Sequence, residues 1–331
     1  MTGAETPRPG RWVVPWLPLL AIAAVVAALL SVPWVTPGYW VRVLSGVFMF
    51  GAMAQSLNII AGFTGYADFG NVVFFGLGAY TTAALMTQAG LAFVPAWVLG
   101  GGVSAGAAGL LGWPLLRLRG HYFAIATIGV LEAVREITSN LAFFGGGMGI
   151  TLPVFAGTPD AFYRLIYYVL FAVLAAYTAL GWWLSRSRFG YALRAIKANE
   201  EAAAVMGVAT TRYKILAWSL SASCTGLVGG IYAYWLKYIE PPFVFDILLS
   251  VKCWIMMLLG GTGTFLGPLA GAVLLELLSV FIWGQFLRGH MLILGLAIIA
   301  VVLFMPTGFM DLVRRRFSLV GVLDTLRRNR I

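Results

Sequence analysis

The chain has 331 residues, of which 61% are hydrophobic and only 10% are charged, and its formal net charge is +10. Roughly a quarter of the residues of a soluble domain are charged, so this composition excludes an ordinary water-soluble globular protein. Repeated apolar runs of about 20 residues instead predict an all-α polytopic membrane protein, in contact with lipid along its spans.

Ten hydrophobic segments are predicted along the chain, within a range of eight to eleven membrane-spanning helices. Their approximate bounds are 13–32, 41–61, 69–88, 94–114, 121–140, 162–184, 214–236, 247–261, 266–284 and 290–306. The first segment is too long for the core of a signal peptide and lacks a clear cleavage site, so it is predicted to be an uncleaved span. Whether some segments are re-entrant or broken stays open.

Basic residues cluster at the amino terminus, in a short hinge, in one loop and in the tail. These clusters hold sixteen of the 22 Lys and Arg residues: Arg8, Arg11, Arg117, Arg119, Arg186, Arg188, Arg194, Lys197, Arg212, Lys214, Arg314, Arg315, Arg316, Arg327, Arg328 and Arg330. Because cytoplasmic loops carry the excess of positive charge, all four clusters and both termini are predicted to be cytoplasmic. The charge therefore sets membrane topology and does not indicate nucleic-acid binding.

Three connections are predicted to lie outside, at 33–40, 142–161 and 237–246. The second is the longest exterior connection and is rich in glycine and proline. Long connections are where binding residues tend to lie, which favours this loop as a delivery site for a ligand.

Two glycine-rich interruptions separate paired apolar runs, at 62–70 (the first break) and 260–267 (the second break). Glycine-broken segments in corresponding positions of two halves point to a translocation pathway in transporters. Two unrelated tight turns are the alternative, and an internal pseudo-repeat stays open. Asp68, in the first break, is predicted to cap the following helix, or to act as a pathway group because acidic residues at membrane depth mark functional sites.

Charged residues also occur inside other predicted hydrophobic segments, away from the two glycine breaks. Glu132, Arg135 and Glu136 share one segment, and their i,i+3 and i,i+4 spacing predicts a structural charge cluster. Lys252 and Glu276 stand isolated in the sequence and are predicted to line a polar path or to reach an interface.

Enzymatic function is not supported by the motifs. Gly102-Val-Ser-Ala-Gly106 matches a nucleophile pattern, but it lies in an apolar helical segment, and His121 and His290 are the only histidines. Small residues four apart predict close helix packing there, with a membrane hydrolase at Ser104 as the alternative. The chain has no phosphate-binding loop and no metal-spaced Cys/His cluster, so no catalytic residue, metal site or ATP site is predicted. Its two cysteines are predicted to be buried thiols.

The only long polar stretch inside the apolar chain is 185–214, which holds six of the 22 basic residues. Its centre predicts a short helix, with Asn199 as the N-cap, Glu200 and Glu201 at the positive end of the helix dipole, and Gly207 at the carboxyl end. A capped helix at the membrane surface is suited to docking a soluble partner. The alternative is a surface helix that only satisfies topology.

The run Glu201-Ala-Ala-Ala-Val-Met-Gly207 resembles the E-A-A-x-x-x-G signature with which ABC importer permeases dock on their ATPase. LNIIAGFTGYADFGNVVFFGLGAYTTAAL, LRGHYFAIATIGVLEAVREI and MLLGGTGTFLGPLAGA are similar to segments of the branched-chain amino acid (LIV-type) permeases, and the second resembles the M-type subunit. Asp68 stands where the family commonly has Ser and Asn71 where it has His. The family's T-G-G-x-x-G-I element lacks its threonine, since Phe144 precedes the glycines.

The resemblance implies one permease domain over 1–331 in a bacterial cytoplasmic (inner) membrane, with a cytoplasmic coupling segment at 185–214 and a basic cytoplasmic tail at 307–331. It implies four partners: a second, H-type permease, two ABC ATPase subunits that hold ATP and Mg²⁺, and an extracytoplasmic substrate-binding protein. The chain itself needs no cofactor. The ATPase-coupling residues so implied are Arg194, Asn199, Glu200, Glu201, Ala202, Ala203 and Gly207.

The predicted translocation pathway combines the glycine breaks with the family-like segments. Its residues are Gly65, Asp68, Asn71, Phe74, Gly78, Tyr80, Gly146, Gly147, Gly261 and Gly263. The cargo expected from the resemblance is a branched-chain or related hydrophobic amino acid. Urea, short amides and other small organic solutes stay open, as does a stand-alone secondary transporter or channel that needs no ATPase.

Overall fold

The computed structural model describes residues 16–285 and residue 295. The helices in this part of the chain are α1 (Trp16–Val35), α2 (Gly38–Leu57) with a π-helical end (Asn58–Gly62), α3 (Val72–Thr87), α4 (Phe93–Leu115), α5 (His121–Asn140), α6 (Pro159–Arg186), α7 (Arg188–Ala198), α8 (Glu200–Val205), α9 (Thr210–Leu236), α10 (Pro241–Val244), α11 (Ile247–Gly260) and α12 (Gly267–Gln285). Short 3₁₀ turns cover Ala142–Phe144 and Gly146–Met148, and two short strands are β1 (Ile150–Thr151) and β2 (Tyr238–Ile239). The predicted all-α class is confirmed.

Helices α1, α2, α3, α4, α5, α6, α9, α11 and α12 coincide with the first nine predicted segments. The tenth segment and the basic tail at 307–331 lie outside the described residues. Five helical stretches are long and apolar enough to cross a membrane: Gly38–Gly62, Phe93–Leu115, Pro159–Arg186, Thr210–Leu236 and Pro241–Gly260. Ala23–Val35, Val72–Thr87 and Gly267–Ile282 are shorter apolar helices. The amphipathic α5 falls in neither group, since it carries Glu132, Arg135 and Glu136.

The core is built around α2, whose residues from Val47 to Leu57 are all buried. On one side α2 packs against α6 and α12, and on another it meets α9, which also packs closely against α3 and α4. Glycines allow that close approach, because a Cβ on Gly78 of α3 would lie 2.1 Å from the carbonyl oxygen of Gly226 on α9. Small-residue packing is also observed between Ser104 of α4 and Gly226 of α9. At Gly102 and Gly106, where the sequence predicted it, nothing in the described part of the chain lies within 4 Å of a Cβ position, so the prediction is wrong for those two glycines.

Two of the predicted exterior connections meet. Strands β1 and β2 pair antiparallel, with Ile150 opposite Ile239 and Thr151 opposite Tyr238. The hydroxyl of Tyr238 also donates a hydrogen bond to the carbonyl of Met148 at 2.8 Å. The predicted 33–40 loop is shorter than expected, because α1 continues to Val35 and α2 already begins at Gly38.

Helix α9 separates the two ends of the molecule. Its 27 residues span about 40 Å at 1.5 Å per residue. Its first residues lie beside α7 and α8, here called the α8 end, and its last residue precedes β2, here called the strand end. Sites at these two ends are therefore separated by the length of a membrane span.

Candidate functional site

Both ends of α8 are fixed by local hydrogen bonds. The Asn199 side chain accepts hydrogen bonds from the backbone N–H groups of Glu201 and Ala202, each at 3.0 Å. At the other end Gly207 adopts a φ of 88°, and the N–H of Val208 donates to the carbonyl of Ala203 at 3.0 Å. This is the Schellman arrangement that a glycine permits. The predicted cap and closure are confirmed.

The tip of α8 exposes apolar side chains. Ala203 is buried against the rest of the chain, whereas Ala202 is exposed. Val205 and Met206, at the end of the helix, are 88% and 83% exposed. Large apolar side chains this exposed at a helix tip are suited to insertion into a partner.

Glu200 faces inward and joins four parts of the chain. Lys214 Nζ lies 2.7 Å from Oε1 of Glu200, 2.8 Å from the hydroxyl of Tyr66 and 2.7 Å from the carbonyl of Leu116. Tyr66 in turn donates to Oε2 of Glu200 at 2.6 Å. Burial by itself raises the carboxyl pKa, but the hydrogen bonds from Lys214 and Tyr66 outweigh it and lower the pKa of Glu200 below its ordinary value. We call Glu200, Lys214 and Tyr66 the α8 hub.

The other predicted coupling residues contribute less. Glu201 pairs with Arg119 at 2.7 Å, but the two side chains are 76% and 59% exposed, so the pair stabilises the fold weakly. Arg194 donates to the carbonyl of Ser185 at 2.8 Å and lies over the ring of Tyr191, and so supports the junction of α6 and α7.

Helix α7 contacts the first break directly. Lys197 Nζ donates to the carbonyl of Gly62 at 2.8 Å, and burial lowers the pKa of this ammonium group. A Cβ on Gly65 would lie 3.2 Å from Cγ of Lys197. Lys197 is therefore a second contact between the coupling segment and the first break, besides that of Tyr66 with Glu200 and Lys214.

The two glycine breaks also contact each other. Asn58, in the π-helical end of α2, donates to the carbonyl of Thr264 and accepts from the N–H of Gly263, both at 2.8 Å. A Cβ on Gly263 would lie 3.0 Å from the carbonyl oxygen of Gly62. Gly261 and Gly263 both have positive φ, at 113° and 74°. Two interruptions that are distant in sequence thus form one structure at the α8 end.

Asp68 does not cap α3, so that prediction is wrong. Helix α3 begins at Val72, after Asn71, and Asp68 is fully buried. Its Oδ2 accepts a hydrogen bond from Nε1 of Trp218 at 2.7 Å, and its carbonyl accepts one from Trp254 at 2.9 Å. The Trp218 indole holds Oδ2 of Asp68 in the interior, while Oδ1 has no well-aligned hydrogen-bond partner among the described residues. A cap would have required the side chain to face the end of α3.

The remaining predicted pathway residues fall in two places. Asn71 accepts from the hydroxyl of Thr225 at 3.1 Å inside the helix packing, where Phe74 and Gly78 are also buried. Tyr80 contacts the rings of Phe144 and Phe245 toward the strand end. At that end the second 3₁₀ turn, Gly146–Met148, contains the last two predicted residues, Gly146 and Gly147. The structure therefore brings Gly65, Gly261 and Gly263 together but not the full set.

A family model matches residues 39–302 of the chain, and its description is branched-chain amino acid transport system, permease component. The match covers well over half of the sequence. The chain belongs to this permease family.

Curated relatives agree with that assignment. The permease is 31% identical over 294 residues to the high-affinity branched-chain amino acid transport system permease protein LivM of Salmonella typhimurium, covering 81% of this chain and 69% of that one. It is 29% identical to LivM of Escherichia coli with the same coverage. The L-arabinose ABC transporter permease protein AraH of Azospirillum brasilense is 28% identical over 213 residues, 60% of this chain and 62% of its own. No solved structure gives a significant match.

Several contacts of this permease were not predicted from sequence. The contacts of Lys214 with Tyr66, of Lys197 with Gly62 and of Asn58 with Thr264 gave no signal, because each joins residues more than 130 positions apart. Lys252 and Glu276 stand apart in the sequence, yet they form an ion pair in which Lys252 Nζ lies 2.7 Å from Oε2 of Glu276. Only a pattern of paired substitutions between related sequences carries such information.

Ser104 does not form a nucleophile site. It lies inside α4, and its hydroxyl donates to the carbonyls of Phe74 and Gly100, both at 3.0 Å. Across residues 16–285 no cluster of three or more His, Cys, Asp or Glu side chains could hold a metal ion.

Proposed function

We propose that this permease is a membrane subunit of an ATP-driven importer for branched-chain or related hydrophobic amino acids. It forms half of the translocation pore with a second, H-type permease. Two ABC ATPase subunits dock at the α8 end, which is cytoplasmic, and an extracytoplasmic binding protein delivers the solute at the strand end. The cargo is supported by the family and by the two LivM relatives.

The observation that carries the coupling role is the exposed apolar tip of α8. Val205 and Met206 are more than four-fifths exposed on a helix whose two ends are both capped. Apolar side chains on a rigid helix can fill a pocket in a soluble partner at little entropic cost.

The contacts between α8 and the rest of the chain support a mechanism in which a movement of the ATPase displaces α8 and, through it, the two breaks. The α8 hub ties the helix to α9 and to Tyr66 in the first break. Lys197 ties the preceding helix to Gly62, and Asn58 ties the first break to the second. A displacement of α8 therefore acts on both breaks, where helices are interrupted and can be re-oriented at low cost.

The test is to replace the apolar tip by a charge. In Met206→Asp, we expect the ATPase subunits to be lost when the tagged permease is purified from its native membrane, and ATP-dependent uptake to fall with them. Insertion and thermal stability stay at wild-type levels, because residue 206 contacts solvent. Val154→Asp is the matched control, since Val154 is 73% exposed but lies beside β1 at the strand end.

Two results would count against the proposal. Retention of the ATPases and normal uptake by Met206→Asp would remove α8 from the docking surface. Purification of the wild-type permease without any ATPase, together with ATP-independent uptake, would favour a stand-alone secondary transporter.

A further inference from the structure

Two lysines with carboxylate partners, Lys214 and Lys252, differ in how fully their ammonium groups are satisfied. An ammonium group has three N–H donors. At Lys214, Nζ meets three oxygen atoms at 2.7 or 2.8 Å. At Lys252, Glu276 is the only polar partner that the described residues provide. Lys252 therefore keeps donors that this part of the chain does not use.

The surroundings of Lys252 and Glu276 leave room for a ligand. Lys252 Nζ lies 3.7 Å from the ring centroid of Phe50, and Oε2 of Glu276 receives no well-aligned hydrogen bond from a described donor. Gly46 has no side chain beside the carboxylate, since a Cβ there would lie 3.4 Å from Oε1. The Lys252 and Glu276 side chains are 28% and 14% exposed, so the pair is not sealed in the core.

The pair lies at mid-depth of the helical layer. Phe50 is the central residue of the 25-residue span Gly38–Gly62, about 18 Å from either end at 1.5 Å per residue. Glu276 is likewise the central residue of the 19-residue helix α12. Neither charge can reach a headgroup region from this depth without leaving its partner.

An ion pair at this depth is difficult to explain as a device for stability. Replacing a buried ion pair by apolar residues of similar volume is often neutral or stabilising. Ionisable residues within membrane segments almost always face a bundle interior or a water-filled cavity, and they mark solute pathways. Helices α11 and α12, which carry the pair, also flank the second break, so the pair bridges the two helices that this predicted part of the pathway joins.

We propose that Lys252 and Glu276 bind the two charged ends of a zwitterionic solute as it crosses the membrane. The Lys252 ammonium, over the ring of Phe50, takes the carboxylate of the solute, while Glu276 takes its ammonium group. Solute binding exchanges one ion pair for two, so no unpaired charge remains at mid-depth. This inference rests on the proposed function and narrows the cargo to α-amino acids, because urea, amides and sugars have no charges to exchange.

Polar contacts lead from this site toward the α8 end. The amide of Gln55, farther along α2 than Phe50, donates to the carbonyl of Phe265 at 2.6 Å. Asn58 follows with its hydrogen bond to the carbonyl of Thr264. Helix α2 therefore links the ion pair to the second break, on which the coupling segment acts.

The experiment uses the complete complex in liposomes, with its partner permease, ATPases and binding protein, and radiolabelled leucine as probe. We expect Lys252→Met/Glu276→Met to lower the maximal rate of ATP-dependent leucine uptake by about tenfold or more, as when charged contacts to a ligand are lost. Thermal stability and ATP hydrolysis stay at wild-type levels, because the pair is replaced by apolar side chains of similar volume. Glu132→Met/Arg135→Met is the control, since it removes an ion pair from α5.

The outcomes of this experiment distinguish the zwitterion site at Lys252 and Glu276 from the proposed function as an ATP-driven importer. Leucine uptake by the double variant at the wild-type rate would overturn the ion-pair site and leave the proposed function intact. ATP-dependent uptake of urea or acetamide by the wild type, with no uptake of leucine, would overturn the zwitterion site while preserving an ATP-driven permease. Failure of the wild type to import any of these three solutes with ATP would overturn both.

Discussion

Lys214 stabilises the α8 hub through a charge that has almost no access to water. Its side chain is 3% exposed and that of its partner Glu200 is 17% exposed. At such burial the desolvation of both charges is offset only when every donor and acceptor is satisfied. The three contacts of Nζ meet that condition, so the hub is a rigid joint between α8 and the span that follows it.

Removal of this charge should weaken the fold and the coupling together. In Lys214→Met, Glu200 keeps its charge without its cation, and loss of one partner of a buried pair typically costs about 3–5 kcal/mol. We expect a clear drop in the thermal unfolding temperature of the purified permease, and ATP hydrolysis that no longer drives uptake. Arg212→Met, an exposed change two residues earlier, is the control and stays near wild type. Equal unfolding temperatures for the two variants would contradict the role of the hub.

Glu200 also predicts a pH dependence of stability. Because its pKa is lowered in the folded state, its contribution is complete above the ordinary glutamate pKa of about 4.3 and is lost as pH falls through the lowered value. The difference in unfolding temperature between wild type and Glu200→Gln should therefore be largest near neutral pH and shrink under acid conditions. The measurement is a thermal unfolding series in detergent from neutral to acid pH. A difference that does not vary with pH would show that the carboxylate charge is not involved.

The residues that were predicted correctly act over one helical turn. Asn199 and Gly207 fix the two ends of α8 through hydrogen bonds with neighbours within a few positions. Such caps can be predicted from a single sequence. Asp68 was predicted to cap by the same rule, but its real partner Trp218 is 150 residues away. Contacts of that kind depend on how helices pack, which local patterns do not specify.

At the scale of elements, the approach of α3 to α9 depends on the absence of side chains at Gly78 and Gly226. The backbone of Gly226 occupies the space of a Cβ on Gly78, and a backbone atom cannot turn aside as the end of a side chain can. The hydrophobic segments in the sequence predicted these helices well. Their contact distance follows from the glycines alone.

Gly78→Ala should therefore destabilise the permease, although alanine favours helix by about 1 kcal/mol over glycine. Overpacking at a contact that cannot relax typically costs about 1–3 kcal/mol, so we expect a lower unfolding temperature. Gly102→Ala on α4 is the matched control, because nothing lies within 4 Å of its Cβ position. That variant should be neutral or slightly stabilised, and equal behaviour of the two would contradict the close packing.

At the scale of the whole molecule, the strand end and the α8 end are predicted to lie on opposite sides of the membrane. The native cysteines, Cys224 and Cys253, are fully buried and give a low background for thiol labelling. A membrane-impermeant maleimide should label Val154→Cys in intact cells, and Val205→Cys only after the membrane is opened. The reverse pattern would invert the orientation that the basic clusters predict.

The hydrogen bonds of Asn58 to the second break have a mechanical consequence for the transport cycle. Two gates that open in turn would need two separate sets of hydrogen bonds. Here the side chain of Asn58 bonds both Thr264 and Gly263. Asn58 lies one helical turn from Gly62, whose carbonyl accepts a hydrogen bond from Lys197. Opening either break strains the bonds of the other. We therefore expect the two interruptions to move together, as a single hinge, during transport.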